Sequence, residues 1–393
     1  MSGMNNGRVE PGFEGVRDAF EQNFAEGLEL GAAFCLYVDG RPVVDLWGGV
    51  VDAASGRAYA EDTLQLVFST TKGATAVCAN MLLERGELEL DAEVAHYWPE
   101  FAQAGKGHVP VRWLLDHRSG LVDVDGPLTL EQTLAWDPVV EALAAQKPLW
   151  EPGVGHGYHA ITYGYLVGEL VRRVSGKSLG RFFADEVATP LGLDFHIGLP
   201  ASELGRVAKL DSGGFVKRPR QRAQAASAGG EPGPMQLLRR ALGAPAGALR
   251  ATDVFNRPEV LAAEIPAANG VTTARSLARM YAALAGEVDG VRLLSPAQLE
   301  AASVSENQGP DRVLYFPMRF GLGFMQMGAL SKRFGARAVG HFGAGGSVGY
   351  VDPEFNMAFG YTMNRMQAGL VGDPRSVRLI GAVNRAVGKT GGA

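Results

Sequence analysis

The stretch Leu64-Gln65-Leu66-Val67-Phe68-Ser69-Thr70-Thr71-Lys72 leads from a short apolar run into a pattern typical of a helix. Apolar residues recur three and four apart from Thr70 to Arg85, and Gly86 marks the predicted end of the helix. Residues three apart share one face of a helix, so Ser69 Oγ and Lys72 Nζ can meet. A serine at a helix N-terminus also lies where free N–H groups favour developing negative charge. The stretch therefore predicts a nucleophilic serine with a lysine one turn away.

The lysine can act as a base only if its pKa falls from about 10.4 towards neutrality. A fall of about three units costs roughly 4 kcal/mol, which requires a buried, apolar site. Val67, Phe68 and the Ala-rich helix are residues that can supply such a site. Taken alone, the pair also fits an N-cap serine followed by a solvated lysine. That alternative stays open at this point.

The pattern on both sides of this stretch predicts helices mixed with strands. Asp39-Gly40 between two apolar runs is typical of a β-hairpin turn, and the chain from about 87 to 200 is mostly helical. The predicted helices lie at 13–27, 70–85, 139–146, 163–174, 272–284 and 374–387, and the predicted strands at 32–38, 42–47, 320–327, 338–342, 349–351 and 357–363.

The order of these elements predicts an α/β (α+β) fold. Residues 10–85 and 260–393 are expected to form one α/β domain from both ends of the chain. Residues 86–259 are expected to form a mainly helical domain inserted between those halves. That domain includes a segment rich in Gly, Pro and Arg at 201–258, where periodicity is lost, and we interpret this segment as an insertion or lid.

Composition excludes several classes of protein. The 393 residues are 46% hydrophobic and 20% charged with a net charge of −5, which argues against disorder, a nucleic-acid surface and a polybasic membrane face. We find no run of about 18 apolar residues, and residues 1–8 lack the apolar region of a secretory signal. Cys35 and Cys78 each lie in an apolar segment and are predicted to be buried free thiols. We therefore expect a cytoplasmic protein with no membrane or nucleic-acid partner.

Three further segments follow Ser69 and Lys72 in order, and together they carry a resemblance. Over roughly residues 13–390, most weakly in 201–258, the sequence resembles the class C β-lactamase and penicillin-binding-protein superfamily, and especially its family VIII carboxylesterases. The resemblance implies a β-lactamase/transpeptidase-like fold, an antiparallel sheet flanked by helices with an inserted, mainly helical lobe. The segments are Leu114-Leu115-Asp116-His117-Arg118-Ser119-Gly120-Leu121, Trp150-Glu151-Pro152-Gly153 leading to Tyr158-His159-Ala160, and Gly340-His341-Phe342-Gly343.

The resemblance also implies roles for individual residues. Ser69, Lys72 and Tyr158 would be catalytic: either Lys72 or the Tyr158 phenolate would take the Ser69 proton, and the tyrosine would return it to the leaving alcohol. The backbone N–H groups of Ser69 and Ala344 would form the oxyanion hole, where one donor is typically worth about 3–4 kcal/mol. The segment containing His341 and Gly343 would bind substrate. We expect no metal and no cofactor.

Two positions depart from the β-lactamase pattern. Ala160 stands where that pattern has an asparagine, and His341 stands where it has the lysine of Lys-Thr-Gly. Histidine is mostly neutral near pH 7, so the permanent cation that helps hold a β-lactam carboxylate is absent. We therefore predict a serine carboxylesterase that hydrolyses short-chain acyl esters, its small-molecule partner, through a Ser69 acyl-enzyme. The alternatives are a β-lactamase, a D-amino-acid peptidase or an acyltransferase of the same superfamily, and a catalytically silent binding protein.

Other motif matches are interpreted as coincidental. Gly345-Gly346-Ser347-Val348-Gly349 matches the G-x-S-x-G nucleophile elbow, but a strand rather than a helix is predicted to follow Ser347. Lys389-Thr390-Gly391 lies beyond the last predicted helix. His156 and His159 have no carboxylate or cysteine cluster beside them and are predicted to be loop residues rather than metal ligands.

Overall fold

The computed structural model of the protein describes residues 6–212, 234–243, 247–249, 252–305, 307 and 309–388. Across these ranges, no helix combines the length and the apolar character that a membrane crossing needs. Lys389-Thr390-Gly391 and a large part of the segment predicted at 201–258 lie outside the described residues.

The strands of the described chain form two antiparallel sheets. The larger sheet has seven strands in the order β1-β3-β2-β10-β9-β8-β7, and the smaller has three in the order β4-β6-β5. The strands are β1 (Asn6–Val9), β2 (Gly31–Val38), β3 (Arg41–Gly49), β4 (Gln65–Leu66), β5 (Phe195–His196), β6 (Val271–Thr272), β7 (Met325–Gln326), β8 (Val339–Phe342), β9 (Val348–Asp352) and β10 (Met357–Met363).

Helices pack against the larger sheet, and most helices of the described chain lie between β3 and β7 in the sequence. The helices in the described ranges are α1 (Glu14–Ala25), α2 (Thr71–Glu84), α3 (Val94–Tyr97), α4 (Arg112–Leu115), α5 (Leu130–Leu134), α6 (Asp137–Ala145), α7 (Thr162–Ser175), α8 (Leu179–Phe183), α9 (Thr189–Leu191), α10 (Pro234–Gly243), α11 (Pro258–Ala262), α12 (Ala274–Ala285), α13 (Pro296–Ser303), α14 (Met327–Leu330) and α15 (Pro374–Ala386).

The larger sheet joins the two ends of the chain, because every residue of β10 pairs with β2, with Cys35 opposite Gly360. Helix α12 packs on β2, β9 and β10, while α1 packs against α15. Close approach of α12 requires glycine in the strands below it. A Cβ on Gly360 would lie 2.4 Å from the carbonyl oxygen of Ala274, and one on Gly349 would lie 2.6 Å from the Tyr281 ring. The predicted fold class, an antiparallel sheet flanked by helices, is confirmed.

Helix α2 runs through the interior. All its residues from Thr71 to Leu82 are buried, including the polar side chains of Lys72 and Asn80. It packs against α7 and α8 and contacts β8, so it joins the helical part of the molecule to the larger sheet. Cys78 lies on this helix and Cys35 on β2, and both are buried free thiols as predicted.

The predicted elements agree with the structure to within two residues at either end, with two exceptions. The strand predicted at 320–327 is wrong: only Met325 and Gln326 form β7, and α14 follows. Gly321 N–H donates to Phe324 O at 2.9 Å, so this apolar run folds into a turn before it can pair. The segment predicted to lack periodicity contains helix α10.

Helix α10 is amphipathic. Its residues Leu237 and Ala241, four positions apart and therefore on one face of the helix, are buried. On the same helix Arg240 forms ion pairs with Asp123 at 3.1 Å and Asp125 at 2.6 Å. These ion pairs hold α10 to the loop after α4.

Candidate active site

Ser69 lies in a single 3₁₀ turn, Phe68–Thr70, between β4 and α2. Phe68 has φ of 45°, a left-handed conformation that is unfavourable for a bulky residue and that typically costs about 1–3 kcal/mol. Two contacts hold it: Thr71 Oγ1 donates to the Phe68 carbonyl at 2.5 Å, and the Phe68 ring packs edge-on against Phe255 with 4.9 Å between ring centroids. Among buried neighbours, Ser69 is only half-buried, so part of this residue stays accessible to a small molecule.

Lys72 is completely buried on the first turn of α2. Its Nζ lies 3.2 Å from Ser69 Oγ, 2.6 Å from the carbonyl oxygen of Ala160 and 3.0 Å from that of Ala267. Burial holds the pKa of the Lys72 amine well below its usual 10.5. The alternative of a solvated lysine is therefore excluded by the structure.

The Ala267 carbonyl is a partner of Lys72 that the sequence did not indicate, because a backbone oxygen has no side-chain signature. Asn269, fully buried, shapes the turn that presents it. The Asn269 side chain donates to Val260 O at 2.8 Å and Ala263 O at 2.6 Å and accepts from Ile265 N–H at 2.8 Å. The Asn269-Gly270 pair is a turn signal, and it is the one feature of the sequence that points to this loop.

Tyr158 lies beside the Ser69–Lys72 pair. Lys72 Nζ is 4.9 Å from the centroid of its ring, and the ring stacks on Phe320 at 5.8 Å and on His341 at 5.9 Å. Burial raises the pKa of the Tyr158 phenol above its usual 10, and a hydrogen bond with Ser69 opposes that rise. The neutral phenol is therefore the favoured form in the resting site.

The backbone of Tyr158 is held by a buried carboxylate. Asp311 Oδ1 accepts hydrogen bonds from the N–H groups of Tyr158 at 3.1 Å, Val313 at 2.8 Å and Leu314 at 2.8 Å. Asp311 is fully buried, and burial raises the pKa of its carboxyl. Sequence reasoning missed this residue, since nothing in the sequence of the loop relates it to a tyrosine 153 positions earlier.

His341 lies in β8 and Gly343 directly follows that strand, which contacts α2. His341 Nδ1 donates to the Phe342 carbonyl at 2.6 Å, which leaves Nε2 as the ring's acceptor. Burial, with the nearby Lys72, lowers the pKa of His341 to about 3, so the ring is neutral. A Cβ on Gly343 would lie 2.2 Å from both Val67 O and Ser347 Oγ. Gly343 thus allows the end of β8 to approach the segment before Ser69.

The residues after Gly343 form a tight turn around Ala344. Gly346 N–H donates to Gly343 O at 3.2 Å, and Gly345 has φ of 87°, as the third residue of a type II turn requires. Ala344 is half-buried while its neighbours are buried, and within the described part of the chain its N–H has no acceptor. This N–H is therefore available to an oxygen of a bound molecule, as is expected of an oxyanion-hole donor.

Ser347 and the histidines of the Tyr158 loop, which the sequence offered as other candidates, form structural hydrogen bonds. Ser347 is fully buried and donates to Val67 O at 2.8 Å, and a strand follows it, as predicted. His159 Nδ1 donates to Gly157 O at 2.7 Å, and its Nε2 accepts from Leu121 N–H at 3.1 Å. Within the described ranges, no three or more His, Cys, Asp or Glu side chains are grouped so that they could hold a metal ion.

Comparison with known proteins shows close relatives across the whole chain. Residues 18–382 match the model of the Beta-lactamase family. The chain is 38% identical over 378 residues to the esterase/beta-lactamase LipL of Mycobacterium tuberculosis, covering 93% of this chain and 84% of that protein.

Solved structures are similar to this chain over nearly its whole length. A family VIII carboxylesterase superposes with a TM-score of 0.88 at 39% identity, covering 98% of this chain and all of the other. EstA of Arthrobacter nitroguajacolicus Rue61a superposes with a TM-score of 0.86 at 33% identity, covering 99% of both chains. A penicillin-binding protein homologue of Caulobacter crescentus superposes with a TM-score of 0.85 at 39% identity, covering 98% of this chain and all of the other.

Proposed function

The chain belongs to the beta-lactamase family and is a serine hydrolase, and we propose that it is a carboxylesterase acting on short-chain acyl esters through an acyl-enzyme on Ser69. The observation that carries the proposal is the position of Lys72 Nζ, buried between Ser69 Oγ and two backbone carbonyls. Esterase names among the relatives support the class of reaction.

In this proposal neutral Lys72 is the general base. The two N–H groups of the neutral amine donate hydrogen bonds to the carbonyl oxygens of Ala160 and Ala267. The lone pair of the nitrogen then points towards Ser69. The amine takes the Ser69 proton as Oγ attacks the ester carbonyl carbon. Burial favours this form, since it penalises the charged ammonium.

Tyr158 serves in this mechanism as the acid for the leaving alcohol. As a neutral phenol near Lys72, it can donate its proton to the alkoxide and be reprotonated by the lysine ammonium. Deacylation follows the same path in reverse, with water in place of the alcohol. Lys72 takes the water proton by way of Tyr158 and returns it to Ser69 Oγ as the acyl–oxygen bond breaks. The N–H groups of Ser69 and Ala344 would stabilise the oxyanion in both steps.

His341 supports an uncharged substrate. A buried neutral imidazole with an acceptor nitrogen offers no positive charge to a substrate carboxylate. The ester preference over β-lactams rests on this residue.

The test is covalent labelling followed by peptide mass spectrometry. Treatment with an organophosphonate is expected to give one adduct, on the peptide containing Ser69, and a Ser69→Ala variant should give none. Labelling at Ser347 instead would overturn the assignment. For substrate class, p-nitrophenyl butyrate should be turned over faster than a chromogenic cephalosporin, and the reverse order would favour a β-lactamase.

A further inference from the structure

The two halves of the proposed oxyanion hole lie on separate parts of the chain. Ser69 precedes α2, and Ala344 follows β8, 275 positions later in the sequence. An oxyanion hole works only when both donors lie about 2.7–3.1 Å from one oxygen position, so some contact must fix the distance between these segments.

Ser347 provides that contact. Its Oγ donates to Val67 O at 2.8 Å, two residues before Ser69, and lies 3.1 Å from Thr70 Oγ1, one residue after it. Its own carbonyl accepts from Gly343 N–H at 2.8 Å. One fully buried residue thus bonds both to the segment around Ser69 and to the turn that contains Ala344.

The far side of the turn is fixed independently. Arg375 Nη2 donates to Gly345 O at 2.5 Å and to Asp373 at 2.7 Å, and a Cβ on Gly346 would meet this guanidinium at 2.5 Å. With that side held against α15, the Ser347 hydroxyl sets the width of the gap on the side facing Ser69.

We propose that Ser347 is a positioning residue of the oxyanion hole, whose hydroxyl holds the N–H of Ala344 in register with that of Ser69. The inference rests on the proposed acyl-enzyme mechanism. Ser347 is fully buried, and its hydroxyl is engaged by Val67 O and Thr70 Oγ1, so its loss should weaken transition-state binding and leave ground-state binding intact.

The experiment compares Ser347→Ala with Ser303→Ala, because Ser303 is also buried and donates to a backbone carbonyl, Glu300 O, at 2.8 Å. For each variant we would measure kcat and KM with p-nitrophenyl butyrate, inhibition by butylboronic acid, whose Ser69 adduct mimics the tetrahedral intermediate, and the midpoint of thermal unfolding.

Ser347→Ala is expected to lower kcat by about tenfold to a hundredfold, less than the loss of a whole oxyanion donor, and to weaken boronate inhibition by a similar factor. KM should change less than twofold, and Ser303→Ala should retain wild-type kinetics. If Ser347→Ala does not fold, Ser347→Cys, whose thiol is a weak donor, must show the same pattern.

The outcomes separate this inference from the proposed function. Phosphonate labelling of Ser69 in the wild-type protein together with unchanged kcat and boronate affinity in the Ser347 variants would overturn the positioning role alone. A kcat loss without loss of boronate affinity would also overturn it, as a merely structural effect. Absence of Ser69 labelling in the wild-type protein would overturn the proposed function and this inference with it.

Discussion

Lys72 Nζ donates to the carbonyl oxygen of Ala160 at 2.6 Å, a shorter contact than its 3.2 Å approach to Ser69 Oγ. Position 160 is where the β-lactamase pattern has an asparagine and this chain has alanine. The bond to Lys72 uses the backbone, so the change of side chain leaves it intact. This relationship orients the lysine, and the first two predictions follow from it.

Lys72→Arg should lower kcat by about 10²–10⁴. A guanidinium stays protonated and therefore has no lone pair that can accept the Ser69 proton. Lys106→Arg is the matched control. Lys106 is also buried, and its Nζ donates to three backbone carbonyls, those of Gln103, Ala144 and Gln146. Assays with p-nitrophenyl butyrate should show normal kcat for the control. Equal losses in the two variants would mean that the lysine acts through stability alone.

The pH dependence of kcat/KM should report the lowered pKa of Lys72. The rate should rise with pH as the buried ammonium loses its proton and should level off well below pH 10.5, because burial lowers the pKa of this amine. A pH–rate profile measured between pH 5 and pH 10 tests this. A rate that still climbs at the upper end would show that the amine keeps an ordinary pKa.

Tyr158→Phe should lower kcat by about 10²–10⁴ while the protein keeps its fold. The phenylalanine ring retains the stacking on Phe320 and His341, and only the hydroxyl is lost. Tyr165→Phe is the control, since Tyr165 is a buried tyrosine whose hydroxyl donates to Thr133 O at 2.9 Å and not to a residue of the candidate site. The midpoint of thermal unfolding shows whether each variant keeps its fold, and kcat shows whether the hydroxyl takes part in turnover. Near-normal turnover of Tyr158→Phe would remove the tyrosine from the mechanism.

The sequence predicted the elements around Ser69 well because their patterns are local. The hairpin turn at Asp39-Gly40, the helix after Ser69 and strand β10 follow from spacing and turn residues alone. The run at 320–327 alternated like a strand, yet its glycines allow a turn that only tertiary packing selects. The domain division at residues 86 and 259 stays a prediction.

Within the candidate site, the order of the motifs indicated Ser69, Lys72 and Tyr158, and these three residues lie together in the structure. Asp311 and the Ala267 carbonyl could not be found in the same way. Each contact has a backbone group on one side: the Asp311 carboxylate accepts from Tyr158 N–H, and the Ala267 carbonyl accepts from Lys72 Nζ. A backbone group is present at every residue, so the sequence does not mark which one takes part.

Acid should destabilise the protein through its buried histidines. Burial lowers the pKa of His159 and of His341 to about 3 in the folded chain, whereas histidine in an unfolded chain has a pKa of about 6.5. Below pH 6.5 the unfolded state therefore binds protons that the folded state does not, and the free energy of unfolding falls as pH falls. Each histidine should cost about 2 kcal/mol at pH 5 relative to pH 8.

Urea unfolding at pH 8 and pH 5 measures this loss. His341→Gln removes one of the buried histidines that titrate, so its loss of unfolding free energy between the two pH values should be smaller than that of the wild-type protein by about 2 kcal/mol. His108→Gln serves as the control, because the His108 side chain is 52% exposed and lies outside the site. Equal pH dependence in His341→Gln and the wild-type protein would show that His341 already binds its proton in the folded state. The ring would then be charged at pH 5 and mostly neutral only above its ordinary pKa of about 6.5, so burial would no longer support the argument for an uncharged substrate.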